Sequence, residues 1–235
     1  MSGWKAKRFW QKATVEAVEG GWTVRLDARP VRTPAKAPLV LPTRALAEAV
    51  ADEWEAQQGE VKPDTMPFTR AANSAIDKVA PQQAEVVAII AAYGGSDLLC
   101  YRATGPQDLC DRQARAWDPL LDWAAERLGA RLAATAGVMH VAQAPDALAR
   151  LSARVEAMTP FQIAAFHDLV ALSGSLVVAL AVVDGRIGAE EAWALSRLDE
   201  CWQIEQWGED EEAAAAAEVR RAAFHQAARF FALCG

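Results

Sequence analysis

Hydrophobic and polar positions alternate with period two near the start of the chain. Val15 and Ala17 precede a Gly20-Gly21 turn, and Trp22, Val24 and Leu26 follow it, a pattern that predicts a β-hairpin. Pro30, Pro34, Pro38 and Pro42 then punctuate two extended stretches, 31–33 and 39–41, which reads as short or edge strands because proline cannot donate to a ladder. Thr43 is placed to cap a helix running to Gln57, with Leu46, Val50 and Trp54 on one face at four-residue steps and Gly59 ending it.

Beyond this point the period lengthens. The spacing predicts helices over 69–79 and 82–93, with Pro81 as a seam between them. A long helix over 106–128 carries Trp117, Leu120, Leu121, Ala124 and Leu128 on one stripe, so Trp117 and Trp123 read as packing residues. Further helices are expected over 145–158, from Pro160 into a buried run at 169–183, over 189–207 and over 210–233. The last presents Val219, Ala223, Ala227, Phe230, Phe231 and Cys234 on one face. The fold class is α+β: a small mixed α/β N-terminal domain with hairpin and helix (1–80), followed by an all-α orthogonal helical bundle (81–235).

The stretch 193–212 concentrates three tryptophans and seven carboxylates. Read as one continuous helix, it places Leu195, Leu198 and Trp202 on one side and Trp193, Ile204 and Trp207 opposite, so it needs two apolar neighbours, of which one can be a partner protein. Glu205 falls within the first stripe, where an unpaired carboxylate is costly, and is expected to have a basic or hydrogen-bonding neighbour. Gly208 breaks the helix. Glu209, Asp210, Glu211 and Glu212 open the next, where the positive end of the helix dipole accounts for the acidic cluster without any function. The same residues also suit recognition of a partner.

Composition narrows the classes. An apolar fraction of 52% and a charged fraction of 23% describe an ordinary globular chain, and a net charge of -7 argues against nucleic acid as the main partner. Cys100, Cys110, Cys201 and Cys234 have no metal-ligand or CxxC spacing and read as free thiols of a reducing compartment. Residues 1–10 carry lysines and tryptophans in place of the apolar core of a secretion signal. The longest apolar run, 169–183, is shorter than the roughly 20 residues that span a bilayer, so no membrane insertion is expected. No Gly-Lys pair offers a P-loop, and His140, His167 and His225 lie apart from one another. Ser175 lacks a nucleophile-elbow context, and His167-Asp168 reads as a structural pair. What survives as enzymatic chemistry is a carboxylate-dependent metal hydrolase built on Glu200, Glu205 and Glu211. A generic protein-binding adaptor is the other alternative.

Taken in order, the motifs Gly21-Trp22 with Leu26-Asp27, Arg29-Pro30-Val31 with Thr33-Pro34, Pro42-Thr43 with Leu46-Ala47, Glu53-Trp54 with Gln57, Met66-Pro67 with Thr69-Arg70 and Asn73, Asp97 to Arg102, Trp117 to Trp123, Gly174-Ser175-Leu176 and Glu191-Ala192-Trp193 running to Trp207-Gly208 span nearly the whole chain. Together they resemble the assembly chaperones for the alpha subunit of F-type ATP synthase. The resemblance implies a two-domain protein that is not an enzyme and uses no cofactor. It implies an ATP-independent chaperone, a monomer, that binds unassembled alpha subunit and shields its subunit interface until the catalytic head assembles. It implies the bacterial cytoplasm, with the mitochondrial matrix for eukaryotic relatives. The family's functional acidic residue after the Trp-Gly pair matches Glu211. The partner-binding expectation is therefore Glu211 with Asp210 and Glu212, with Trp207 as apolar anchor and Glu205 alongside.

Overall fold

The computed structural model describes residues 7–235, so part of the 1–10 stretch read above lies outside the described residues. The hairpin forms as the alternation predicts: β1 (Ala13–Val18) pairs antiparallel with β2 (Gly21–Leu26), which pairs with β3 (Arg29–Pro30). The extended stretches at 31–33 and 39–41 contribute single bridges, Arg32 to Pro38 and Trp22 to Leu41. Gly21 is required at the second of these. Its φ is +154°, and a Cβ there would lie 2.3 Å from the Leu41 carbonyl oxygen, which accepts the Trp22 N–H at 2.9 Å.

Helix α1 (Arg44–Glu55) begins where Thr43 accepts the Leu46 N–H at 3.1 Å, and it packs Leu46, Ala47, Val50 and Ala51 against the sheet. At its other end Glu53 reaches α2 (Pro67–Ser74). Its carboxylate accepts the N–H groups of Phe68 (2.6 Å) and Thr69 (2.7 Å) and the Thr69 hydroxyl (2.7 Å), satisfying donors that a helix start leaves orphaned. The helical stretch expected over 69–79 starts two residues earlier and relaxes into a π-helical turn at Ala75–Val79.

Where the sequence divides the chain once, at 80/81, packing divides it at Gln83 and again inside two helices. The first unit runs to Gln83 and takes in Thr159–Ala165 and Arg229–Gly235; the second comprises Ala84–Met158 and Phe166–Ala228. The reason lies in the core of the first unit, which includes Ala165, Phe230 and Cys234 beside Val24, Leu41, Leu46 and Phe68, with Phe68 and Phe230 stacked at 6.1 Å.

The second unit is built from α3 (Gln83–Ala92), α4 (Gln107–Arg127), α5 (Pro145–Glu156), most of α6 (Pro160–Ser173), α7 (Leu176–Val183), α8 (Ala189–Ser196), α9 (Leu198–Trp207) and most of α10 (Glu211–Leu233). Trp117, Leu120 and Ala124 are buried on α4 as the stripe predicts, and Leu176 to Ala181 of α7 are fully enclosed. A two-residue parallel pair, β4 (Tyr101–Arg102) with β5 (Thr135–Ala136), is too short to leave a periodic signal.

Three helical expectations are corrected. The apolar run 169–183 is two helices, because Gly174 takes a φ of +69° and Ser175 caps α7 by accepting the Val178 N–H at 3.0 Å. The helix expected over 189–207 is also two. The Ser196 hydroxyl donates to the Trp193 carbonyl at 2.8 Å, local competition that favours helix ends, and Arg197 leaves helical geometry at φ -107°, ψ 15°. On α10 the buried residues are Phe224, Ala227 and Phe230, with Cys234 buried just past its end, whereas Val219 is 71% exposed and Ala223 is exposed.

Candidate functional site

The break at Arg197 resets the helical phase, so the two-sided helix inferred for 193–207 does not exist. Trp193 is buried on α8 and lies 5.9 Å from the Phe224 ring. On α9, Leu198 is buried, Cys201 and Trp202 are half-buried and Glu205 is exposed, so one face emerges gradually into solvent. Glu205 is therefore not inside an apolar stripe. It nevertheless has a basic neighbour: both carboxylate oxygens accept from Nη1 of Arg112, at 2.8 and 2.7 Å. That hydrogen bond holds the Glu205 carboxyl below the usual carboxylate range and raises the guanidinium pKa of Arg112, which lies 6.0 Å from the Trp202 ring centroid.

The outer face of α9 ends in exposed apolar surface. Ile204 is 39% exposed and Trp207, one turn on, 79% exposed, a costly display for an indole with nothing covering it. Gly208 ends the helix at φ +89°. Asp210 then caps α10: its Oδ1 accepts the Ala213 N–H at 2.7 Å and its carbonyl accepts the Ala214 N–H at 2.9 Å. Glu211 and Glu212 occupy the exposed first turn of α10. The predicted site residues thus separate by role. Asp210 and Glu205 are committed within the chain, whereas among the described residues no hydrogen bond or ion pair engages the side-chain carboxylates of Glu209, Glu211 or Glu212. The metal-hydrolase arrangement does not assemble: Glu200 pairs with Arg197 at 3.1 Å and Glu205 with Arg112. No cluster of three potential metal ligands occurs among the described residues.

A second feature of the same unit went unread in the sequence. A cavity of about 450 Å³ is walled by Leu98, Trp117, Leu172 and Trp193, with Asp199 and Arg220 among its polar lining. Its walls are tied by hydrogen bonds from the Trp117 indole N–H to the Leu195 carbonyl (3.0 Å) and from the buried Gln113 amide to Asp199 (2.7 Å). Behind Leu98 lies Asp97, fully buried. It accepts from the Ser175 hydroxyl (2.7 Å) and from the N–H groups of Val177 (3.0 Å) and Leu99 (3.0 Å). Burial raises its pKa, against the lowering effect of these donors. The one hint in the sequence is a lone aspartate beside Leu98, Leu99 and Cys100.

A small sheet unit, a helical unit and an exposed indole among uncommitted carboxylates define an α+β protein whose surface chemistry suits another macromolecule rather than a small substrate. Comparison with known proteins agrees. The family model described as ATP12 chaperone protein matches residues 7–125 of the 235, and the chain belongs to that family. It is 53% identical to Atp12 from Paracoccus denitrificans, whose crystal structure superposes with a TM-score of 0.95 over 98% of this chain and 99% of that one. A structure of the Atu1473 protein from Agrobacterium tumefaciens is 46% identical, with a TM-score of 0.94 over 98% of this chain and 87% of that one. Protein atp12, mitochondrial, from Schizosaccharomyces pombe is 25% identical over 219 residues, covering 88% of this chain and 75% of the relative.

Proposed function

We propose that this chain is an ATP-independent chaperone, without catalytic activity of its own, that binds the unassembled alpha subunit of F-type ATP synthase. It shields the subunit interface and promotes assembly of the catalytic head. Family membership supports the chaperone role. The observation that carries the binding site is the exposed Trp207, which the short Gly208 to Asp210 turn joins to the first turn of α10 with its free carboxylates Glu211 and Glu212. An unassembled subunit displays apolar surface and basic groups that its partner later covers, and an indole flanked by carboxylates complements both. The chain acts as a monomer in the bacterial cytoplasm. No helix among the described residues is long and apolar enough to cross a membrane.

Co-expression pull-down tests the reading, with this chain as bait against free alpha subunit and against preassembled alpha-beta head. The expected result is capture of free alpha alone, weakened by Glu211→Lys and by Trp207→Ala. Equal capture of assembled head would favour a generic adaptor, and capture of neither would end the proposal. Retention of full capture by both variants would move the site away from the α9–α10 junction.

A further inference from the structure

The cavity beneath Leu98 shares no lining residue with the acidic junction of Trp207 and Glu209 to Glu212. Its volume of about 450 Å³ falls in the range of ligand pockets. Its walls are held apart. Trp117 cannot swing inward without losing its bond to the Leu195 carbonyl. Leu98 donates its N–H to the Gly174 carbonyl at 3.1 Å, and Asp199 is tied to Gln113. A pocket fixed in this way binds without paying for its own rearrangement. Ala171, Gln203 and Arg220 in the lining are exposed, so it opens to solvent.

The lining also selects its occupant. Two cations, Arg197 and Arg220, face two carboxylates, Asp199 and Glu200, so the site is neutral within a chain of net charge -7. Arg197 is already spent on Glu200 at 3.1 Å and on the Trp193 face at 5.7 Å. A charged group entering the site gains one partner and meets one like charge. An uncharged apolar group lies against the part-exposed Leu98 and Leu172 and the exposed Ala171, with the buried indoles of Trp117 and Trp193 behind them, while peptide N–H and C=O groups flanking it find the second Asp199 oxygen, Gln203 and Arg220.

We infer that this cavity receives a bulky uncharged side chain, aromatic or branched aliphatic, presented by an extended segment of the client protein. It is a second point of attachment besides the acidic junction. The identity of the client rests on the chaperone reading; the chemistry of the pocket does not.

Two measurements test it separately. In the first, the full chain labelled with nitrogen-15 at its indoles is titrated with N-acetyl-phenylalanine methylamide and with the arginine and aspartate equivalents, following the Trp117 and Trp193 N–H resonances. The phenylalanine probe should give a saturable shift, with the charged probes at least about tenfold weaker. The shift should vanish in Ala171→Trp, which fills the mouth from an exposed position; Gln203→Trp serves if that variant fails to fold. No saturable shift, equal response to a charged probe, or persistence of the shift in the filled variant overturns the pocket. In the second, the filled variant replaces wild type in the alpha-subunit pull-down. Loss of capture is expected. Unchanged capture overturns the client role of the cavity while the chaperone reading stands, and failure of wild type to capture alpha overturns that reading while the titration still decides the pocket.

Discussion

Replacing Asp97 should cost the helical unit much of its stability. The residue is fully buried, and its two oxygens receive three donors: the N–H groups of Leu99 and Val177 and the Ser175 hydroxyl. Asp97→Ala orphans all three, each unsatisfied buried donor costing about 1–3 kcal/mol, and measured losses on breaking a buried charged network fall at about 3–5 kcal/mol. With a urea slope of roughly 1–3 kcal/mol per molar, the unfolding midpoint should fall by about 1 M or more. Asp97→Asn keeps the shape but turns one acceptor into a donor, so it should lose about 1–3 kcal/mol. The pH dependence carries the sign. Burial raises the folded-state pKa above the ordinary 3.8, so the favourable contribution is complete below that value and is lost as pH rises through the folded-state pKa. The stability of wild type relative to Asp97→Asn should therefore decline upward from about pH 4. Urea titrations of the three proteins, followed by tryptophan fluorescence across pH, decide it. A loss under about 1 kcal/mol for the alanine variant would refute the network, and a difference that grows with pH would show that the donors outweigh burial.

Three smaller predictions follow from the same kind of accounting. Glu53→Ala removes the cap on α2, and an apparent loss of about 1–2 kcal/mol in urea unfolding is expected; an unchanged midpoint would mean that water replaces the carboxylate. Gly21→Ala should cost about 1–3 kcal/mol and break the Trp22–Leu41 bridge. Gly20→Ala, at φ +83° with nothing within 4 Å, provides the strain without the clash, and equal losses in the two would refute the steric account. Burial pushes the Cys100 and Cys234 thiols up to about 12, so iodoacetamide at pH 8 should modify the native protein only at Cys110 and Cys201. Mass spectrometry showing all four alkylated at one rate would contradict this.

Periodicity carried the sheet, the Thr43 cap and the α4 stripe because each rests on neighbours within one element. It failed where a single residue altered the backbone. The Ser196 hydroxyl and Gly174 split helices whose apolar spacing runs straight across the break, so the buried Trp193 was placed on one face with Ile204 and Trp207, which are exposed. The cavity and the Asp97 network were invisible for another reason. Residues 97, 117, 175 and 193 meet only once the fold is made, and nothing local in the sequence marks their proximity. Glu205 lies between these cases: it has the basic neighbour expected of it, but it is exposed and not in an apolar stripe, and the cation, 93 positions away, was not legible.

The Arg112–Glu205 pair bears directly on the proposed binding site. Both side chains are accessible, at 36% and 49% exposure, so their mutual attraction is solvent-screened and adds little to folding. Arg112→Ala should leave the urea midpoint unchanged. It should also release Glu205, two residues before Trp207 and on a different side of α9, adding a free carboxylate near the α9–α10 junction. If a basic group of the client docks there, capture should tighten and become more sensitive to salt, since each additional exposed charge pair is screened within about 10 Å at 0.1 M ionic strength. The lowered Glu205 pKa supplies a further check. Paired with Arg112, the Glu205 carboxyl should stay ionised to lower pH than it does in Arg112→Ala, which a carbon-13 titration of its side chain reads. Weaker capture by Arg112→Ala, at an unchanged midpoint, would show instead that the guanidinium itself touches the client and that the junction reads an acidic partner as well as a basic one.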